Sequence, residues 1–275
     1  MTPPSPHDAK AGPPPALTDS HCHLDFPQLA GDLPAAIARA RAAGVTRMVT
    51  ICTKLANAPA VRAIAAAHEG VWWAGGLHPM SVAEEGVPSP EAIAALAEDL
   101  RFIGIGETGL DYHYTAESAG AQQESLRAHI EAARRTGLPL IVHARDADAD
   151  MARILAEEHR AGAFSCVMHC FSSGPQLAES ALDLGFYLSM SDIAAFPRSE
   201  ALRDIFRAAP LERILVETDS PYLAPPPHRG RTCEPAYAAL TARAGAEALG
   251  MDYPAFAAAT QANFERLFAR AAAPA

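Results

Sequence analysis

The chain of 275 residues is 49% hydrophobic and 20% charged, and it carries a formal charge of −10 with Lys10 and Lys54 as its only lysines. That composition belongs to a folded, enzyme-sized domain; it excludes a disordered chain and a surface that holds nucleic acid by general basicity. No run approaches the roughly 18 apolar residues of a membrane span, and five irregularly spaced cysteines fit free thiols in a reducing compartment. A cytoplasmic protein is therefore expected, with no membrane contact and no obligate protein partner.

Residues 1–16 are Pro-rich and polar and read as a disordered tail ahead of one domain over 17–270. From there short apolar runs alternate with longer Ala/Leu/Arg/Glu stretches. The runs, read as strands, lie near 17–19 and at 45–52, 71–76, 102–106, 138–142, 164–168, 186–188 and 214–216. Helices are expected over 34–43, 58–67, 90–100, 117–136, 148–160, 175–184, 199–208 and 235–249, with a last one over 254–270. Prolines stand near several helix starts, where a fixed φ and a missing N–H are tolerated. Gly44, Gly70, Gly137, Gly185 and Gly250 stand where helices should stop. Eight strand–helix alternations, with no second block of different texture, predict a single-domain α/β fold, a (β/α)8 TIM-type barrel.

In such a barrel the C-terminal ends of all strands meet on one face, which is the catalytic face. In chain order those ends carry Asp19-Ser-His21-Cys-His23, Gly-Leu-His78-Pro, Gly-Ile-Gly-Glu107-Thr-Gly, Val-His143-Ala-Arg145, Met-His169-Cys170 and Val-Glu217-Thr-Asp219-Ser-Pro221. Side chains two apart share a strand face. His21 and His23 therefore point together, as do Glu217 and Asp219, and Arg145 follows His143. One histidine at a strand end is more often a packed structural residue than a ligand. Four histidines and two carboxylates converging from five strand ends form a metal site. Imidazole and carboxylate together suit Zn, Mg or Mn. Six ligands are too many for one open tetrahedral ion, so two divalent ions sharing a bridge is the economical arrangement. Without a lysine on any later strand to serve as a carbamylated bridge, Glu107 is the expected bridging group. Glu217, inward-facing and charged, should orient a ligand histidine or pair with an arginine.

The stretches 19–25 (DSHCHLD), 104–112 (GIGETGLDY), 142–145 (VHAR), 169–171 (HCF) and 216–225 (VETDSPYLAP) closely resemble the TatD family of metal-dependent deoxyribonucleases, among the amidohydrolase-like barrels. The resemblance spans essentially 17–270. It implies that His21, His23 and Asp219 hold one metal ion, that His143 and His169 hold the other, and that Glu107 lies between them. It also implies hydrolysis of DNA, often from a 3′ end. The expected chemistry is attack of an activated water on phosphorus, with Asp219 and Glu107 catalytic and Asp219 taking the proton as general base. Arg145, His78 and Arg229 are candidate substrate contacts, whereas His68, His129 and His159 fall on expected helices and carry no predicted role. Two positions depart from the family pattern. Cys233 stands before Glu234-Pro235 where Asn or Gln is usual, and Asp192 follows Ser191 where Gly is usual. The acidic net charge leaves a second substrate class open, a small ester, lactone or amide.

Overall fold

A computed structural model describes residues 13–272. The expected tail over 1–16 falls outside the described residues as far as residue 12, and 13–16 carry no regular element. The strands are β1 (Leu17–Cys22), β2 (Val45–Cys52), β3 (Val71–Gly75), β4 (Phe102–Asp111), β5 (Leu140–Arg145), β6 (Cys166–Met168), β7 (Tyr187–Met190) and β8 (Ile214–Val216). They form one eight-stranded sheet in sequential order, every pair parallel. The outer layer is α1 (Leu33–Ala42), α2 (Ala58–Ala67), α3 (Ala119–Thr136), α4 (Asp148–Ala161), α5 (Pro175–Asp183), α6 (Glu200–Ala208) and α7 (Ala238–Ala248), followed by α8 (Tyr253–Leu267). The fold is thus the single-domain TIM-type barrel. The helix expected over 90–100 is divided into Pro90–Ala94 and a 3₁₀ turn, Ala95–Glu98, the tighter geometry common at the end of a short helix.

Two apolar layers follow from the strand alternation. Outward-facing side chains pack against the helices. Val49, Ile51, Ile103, Ile141, Val167, Tyr187 and Leu215 fill the barrel interior together with Phe264, Leu267 and Phe268. These last three come from the C-terminal end of α8 and just beyond it, so that segment plugs the barrel. The plug is tied down by Thr18, which donates to Gln261 at 2.7 Å, and by Asn263, whose amide donates to the carbonyls of Leu211 and Ile214. Position i+2 from an interior residue faces the same way. Ile141, Val167 and Leu215 therefore set His143, His169 and Glu217 on the inner face, one layer higher.

β4 and β5 run further at their C-terminal ends than their apolar text, whereas β3 and β6 are shorter than expected. β4 continues past 106 to Asp111, so Glu107 lies within the strand rather than after it, and β5 continues to Arg145. The cause is the pair Gly106 and Gly109, both at positive φ (125° and 145°). A Cβ at either would strike the carbonyl oxygen of Ile141 or His143 on the neighbouring strand. Glycine here permits close strand approach instead of ending the strand.

β1 and β8 close the barrel by a different device. They share one isolated bridge, Cys22 to Ser220, with His23 N–H donating to Ser220 O at 2.7 Å and Asp219 N–H to His21 O at 3.0 Å. Below it the buried Asp19 carboxylate accepts from Thr218 N–H at 2.9 Å, Thr218 Oγ1 at 2.7 Å and His21 N–H at 3.3 Å. Burial pushes this carboxyl up to about 8 against those donors. Replacing Asp19 by Ala strands the Thr218 groups in the interior, at a cost of about 2–4 kcal/mol. Thermal unfolding of Asp19→Ala is expected at a clearly lower temperature than the parent, and an unchanged Tm would refute this account of the seam.

Candidate metal centre

Five histidines and two carboxylates meet at the mouth of the barrel. Glu107, 3% exposed, stands at their centre with its two oxygens facing different neighbours. Oε1 lies 2.8 Å from His169 Nε2, 3.2 Å from His143 Nδ1 and 3.3 Å from His78 Nε2. Oε2 lies 3.4 Å from His21 Nε2 and 4.0 Å from His23 Nε2. Asp219 Oδ1 completes the second group, 3.3 Å from His23 Nε2 and 3.8 Å from His21 Nε2. The donors therefore divide into two sets that share one carboxylate.

Outer partners fix the rings. His23 Nδ1 faces the carbonyl of Ile51 at 3.3 Å, which leaves Nε2 for the cluster. Asp111 Oδ2 sits 3.1 Å from His143 Nε2, so Nδ1 is turned to Glu107. Glu217 Oε1 sits 3.2 Å from His169 Nδ1 and accepts from Cys170 N–H at 2.7 Å; the left-handed backbone of Cys170 (φ 42°) aims that N–H at it. A carboxylate on the far nitrogen fixes the tautomer and raises the basicity of the near one.

The electrostatics are those of a site built for positive charge. Burial pushes the Glu107 carboxyl up, but His169, His78 and His143 outweigh it and hold the group well below the carboxylate range. Asp219 is likewise raised by burial and lowered further by His23, His169 and His21, ending below its ordinary value. His169 goes the other way, well above the imidazole range, because Glu107 and Glu217 overcome its burial. His21 is lowered by burial and by the ring of His169 stacked on it at 3.8 Å. Neither ring nitrogen of His21 makes a hydrogen bond, and Glu217 Oε2 makes none either, although all three atoms are buried. Unbonded imidazole and carboxylate donors aimed at common points are a donor set that fits divalent cations. His21, His23 and Glu107, and separately His78, Glu107 and His143, bring one donor atom each within 4.8 Å of one another.

A family model described as TatD related DNase matches residues 18–269. The uncharacterized metal-dependent hydrolase YcfH of Escherichia coli K12 is 41% identical over 255 residues, covering 92% of this chain and 95% of its own length. The chain belongs to the TatD family of metal-dependent hydrolases. The 3′–5′ ssDNA/RNA exonuclease TatD of Citrobacter rodentium is 32% identical over 259 residues, 92% of this chain and 97% of that one. The crystal structure of YJJV, a TatD homologue from Escherichia coli K12, superposes with a TM-score of 0.86 at 29% identity, covering 92% of this chain and 98% of the other.

Of the residues singled out from sequence in this TatD-family chain, His21, His23, Glu107, His143, His169, Asp219 and Glu217 come together in one cluster, and His78 joins it through Glu107. Arg145 and Arg229 do not touch it. Each guanidinium lies on an aromatic ring at the rim, Arg145 over Tyr114 at 4.7 Å and Arg229 over Phe196 at 3.9 Å. The two departures from the family pattern meet each other. The Cys233 thiol donates to Asp192 Oδ2 at 3.1 Å and the Thr241 hydroxyl donates to Asp192 Oδ1, so the pair ties the long loop after β8 to the turn after β7. All five cysteines are free thiols, and among the described residues no helix is long and apolar enough to cross a membrane.

Three residues escaped the sequence reading. Asp111 orients His143 and Asp19 locks the seam; both stand inside the quoted motifs, and their acidic type at a strand end was the available signal. His129 is the third, and it is not a bystander on α3. It is fully buried, its Nδ1–H donates to Ser125 O at 2.7 Å, and its Nε2 accepts from Leu77 N–H at 3.0 Å. That bond holds the turn that carries His78. Burial lowers His129 to about 4 from 6.5. Between those values the unfolded chain binds a proton that the native chain does not, so stability falls as pH drops through the interval, by up to roughly 3 kcal/mol for this group. Urea unfolding at pH 7 and pH 4.5 should show a smaller acid loss in His129→Gln than in the parent; equal losses would remove His129 from the acid response.

Proposed function

We propose that this TatD-family hydrolase is a two-metal phosphodiesterase that trims DNA from its 3′ end. The observation that carries the reading is the placing of Glu107, one buried carboxylate whose two oxygens serve two separate donor sets. His21, His23, Asp219 and Glu107 Oε2 would hold one ion, and His143, His169 and Glu107 Oε1 the other, with Mg, Mn or Zn chemically suited. When bound, such ions acidify water and neutralise charge building on a phosphoryl group.

The remaining work belongs to the chain. Asp219 keeps 17% of its side chain exposed and stays ionised, so its free oxygen can orient the attacking water and accept its proton. Asp111 and Glu217 hold the His143 and His169 rings in register. His78, 16% exposed beside Glu107, is placed to meet a phosphate oxygen entering the mouth.

Nucleic acid is the substrate class that best fits the rim. Arg145 ends β5, Arg198 follows β7, and Arg229 and Arg231 follow β8; none of the four is paired with an acid among the described residues. On the outer helices Arg127, Arg134, Arg153 and Arg207 are paired with acids, whereas Arg41, Arg160 and Arg243 are not among the described residues. An acidic protein thus keeps uncommitted cations where a polyanion would enter, which reconciles the net charge with the substrate. The named activity of the Citrobacter relative supports the 3′ polarity. A small ester, lactone or amide is the runner-up, favoured by the net charge alone.

Glu107→Ala is expected to lose bound divalent metal and hydrolysis together; metal content by mass spectrometry beside the activity assay tests it, and a variant that retains full metal and rate would overturn the assignment. A 5′-labelled single-stranded DNA oligonucleotide should shorten stepwise with Mg²⁺ or Mn²⁺ and remain intact with chelator. Intact DNA across several divalent ions, with hydrolysis of a small phosphodiester retained, would move the reading to a small substrate.

A further inference from the structure

The β1/β8 side of the mouth is lined by a short aromatic ladder. Phe26, just after β1, stacks nearly parallel on the His23 ring, with centroids 4.6 Å apart and planes at 20°. Tyr222, just after β8, meets the Phe26 ring edge-on at 5.9 Å and the His23 ring at 6.5 Å. Phe26 is half-buried and is accounted for by its packing on His23. Tyr222 is not explained this way, because 49% of it is exposed.

Its position is tightly specified nonetheless. Tyr222 N–H donates to Asp219 O at 3.0 Å, and the flanking residues Asp219 and Leu223 both hold positive φ, 61° and 63°. Cys233 N–H donates to Pro221 O at 3.0 Å from the returning loop. A turn that begins at a residue of the metal cluster therefore presents a large ring to solvent beside that cluster. Exposing such a ring forgoes its burial free energy, so a rigid turn that does so points to an apolar, flat occupant. Of the large apolar side chains exposed among the described residues, Met80 and Tyr114 also follow strand ends, in the short helical turns Pro79–Ser81 and Tyr112–Thr115. The Arg145 guanidinium over Tyr114 adds a cationic face of the kind that accompanies stacking surfaces for single strands.

We propose that Tyr222, backed by Phe26, is the stacking platform for the unpaired base of the nucleotide whose phosphodiester lies at the metal cluster. The proposal rests on the nuclease reading above and adds to it a specificity. Every base offers a π-face, so the platform selects an unstacked terminal nucleotide and is indifferent to which base it carries. A duplex end, whose terminal base is stacked and paired, must fray before it can engage.

The test uses the full-length protein and two 5′-labelled single-stranded DNA oligonucleotides. They are identical except that one ends in a tetrahydrofuran residue, which lacks the base. The parent should remove the base-bearing nucleotide with a kcat/KM about 10- to 100-fold higher than the abasic one, the size expected of one base–aromatic stack. All four terminal bases should differ little among themselves. Tyr222→Phe should keep the base-to-abasic ratio, and Tyr222→Ala should bring it close to unity. A parent ratio near unity, or a ratio that survives in Tyr222→Ala, overturns the stacking proposal and leaves the nuclease reading intact. If the parent shortens neither oligonucleotide while hydrolysing bis(p-nitrophenyl) phosphate, the nuclease reading fails and this proposal fails with it.

Discussion

A carboxylate buried at the centre of the barrel mouth sets the terms for everything around it. Glu107 is 3% exposed, and an ionised group at that depth is tolerated only when opposite charge or hydrogen-bond donors surround it. The fold meets that need from four other strands at once. β1 brings His21 and His23, β3 the turn with His78, β5 His143 and β6 His169. None of these elements could be shifted by a residue without turning its histidine away, since a one-residue slip reverses a strand's faces. The barrel's register and the site's charge balance are therefore one constraint. The same logic extends outward, where Asp111 and Glu217 neutralise and aim the imidazoles that neutralise Glu107.

The second constraint is closure. A parallel ladder joins each consecutive pair from β1 to β8, but the last pair is closed by one backbone bridge and by side chains. Asp19 reaches across to Thr218, Ser20 donates to Val216 O at 3.0 Å, and the His21 and Asp219 backbones bond directly. This seam is where His21, His23 and Asp219 must meet, so closing the barrel and assembling one donor set are the same event. It also explains why the DSHCH and ETDSP segments contain buried polar residues that no metal requires. At the opposite end Phe264 and Leu267 of α8, with Phe268 just beyond it, pack into the barrel interior.

The rim follows different rules from the cluster. Two of the rim's cations lie on aromatic rings rather than on carboxylates, Arg145 on Tyr114 and Arg229 on Phe196. Stacking orders a guanidinium while leaving its charge available. The Asp192–Cys233–Thr241 contact anchors the loop that carries Tyr222, His228 and Arg229. Positions 192 and 233, far apart in sequence, are one contact in space.

Much of this protein was written in its sequence in a form that local rules can decode. Alternating texture counted the eight strands, and two-residue parity put His21 beside His23 and His143, His169 and Glu217 on the inner face. Both depend only on backbone geometry, which repeats along the chain regardless of context. Tertiary structure alone decided what distance in sequence conceals. His78 proved to be a neighbour of Glu107, Arg145 and Arg229 stood off on aromatic rings, and His129 turned inward to hold the His78 turn. β4 passed through two glycines that local rules read as breaks, because the neighbouring strand comes so close that no side chain fits. Such facts reside in contacts between segments dozens of residues apart, where the partner's shape and charge, and not the local chain, determine what a residue does.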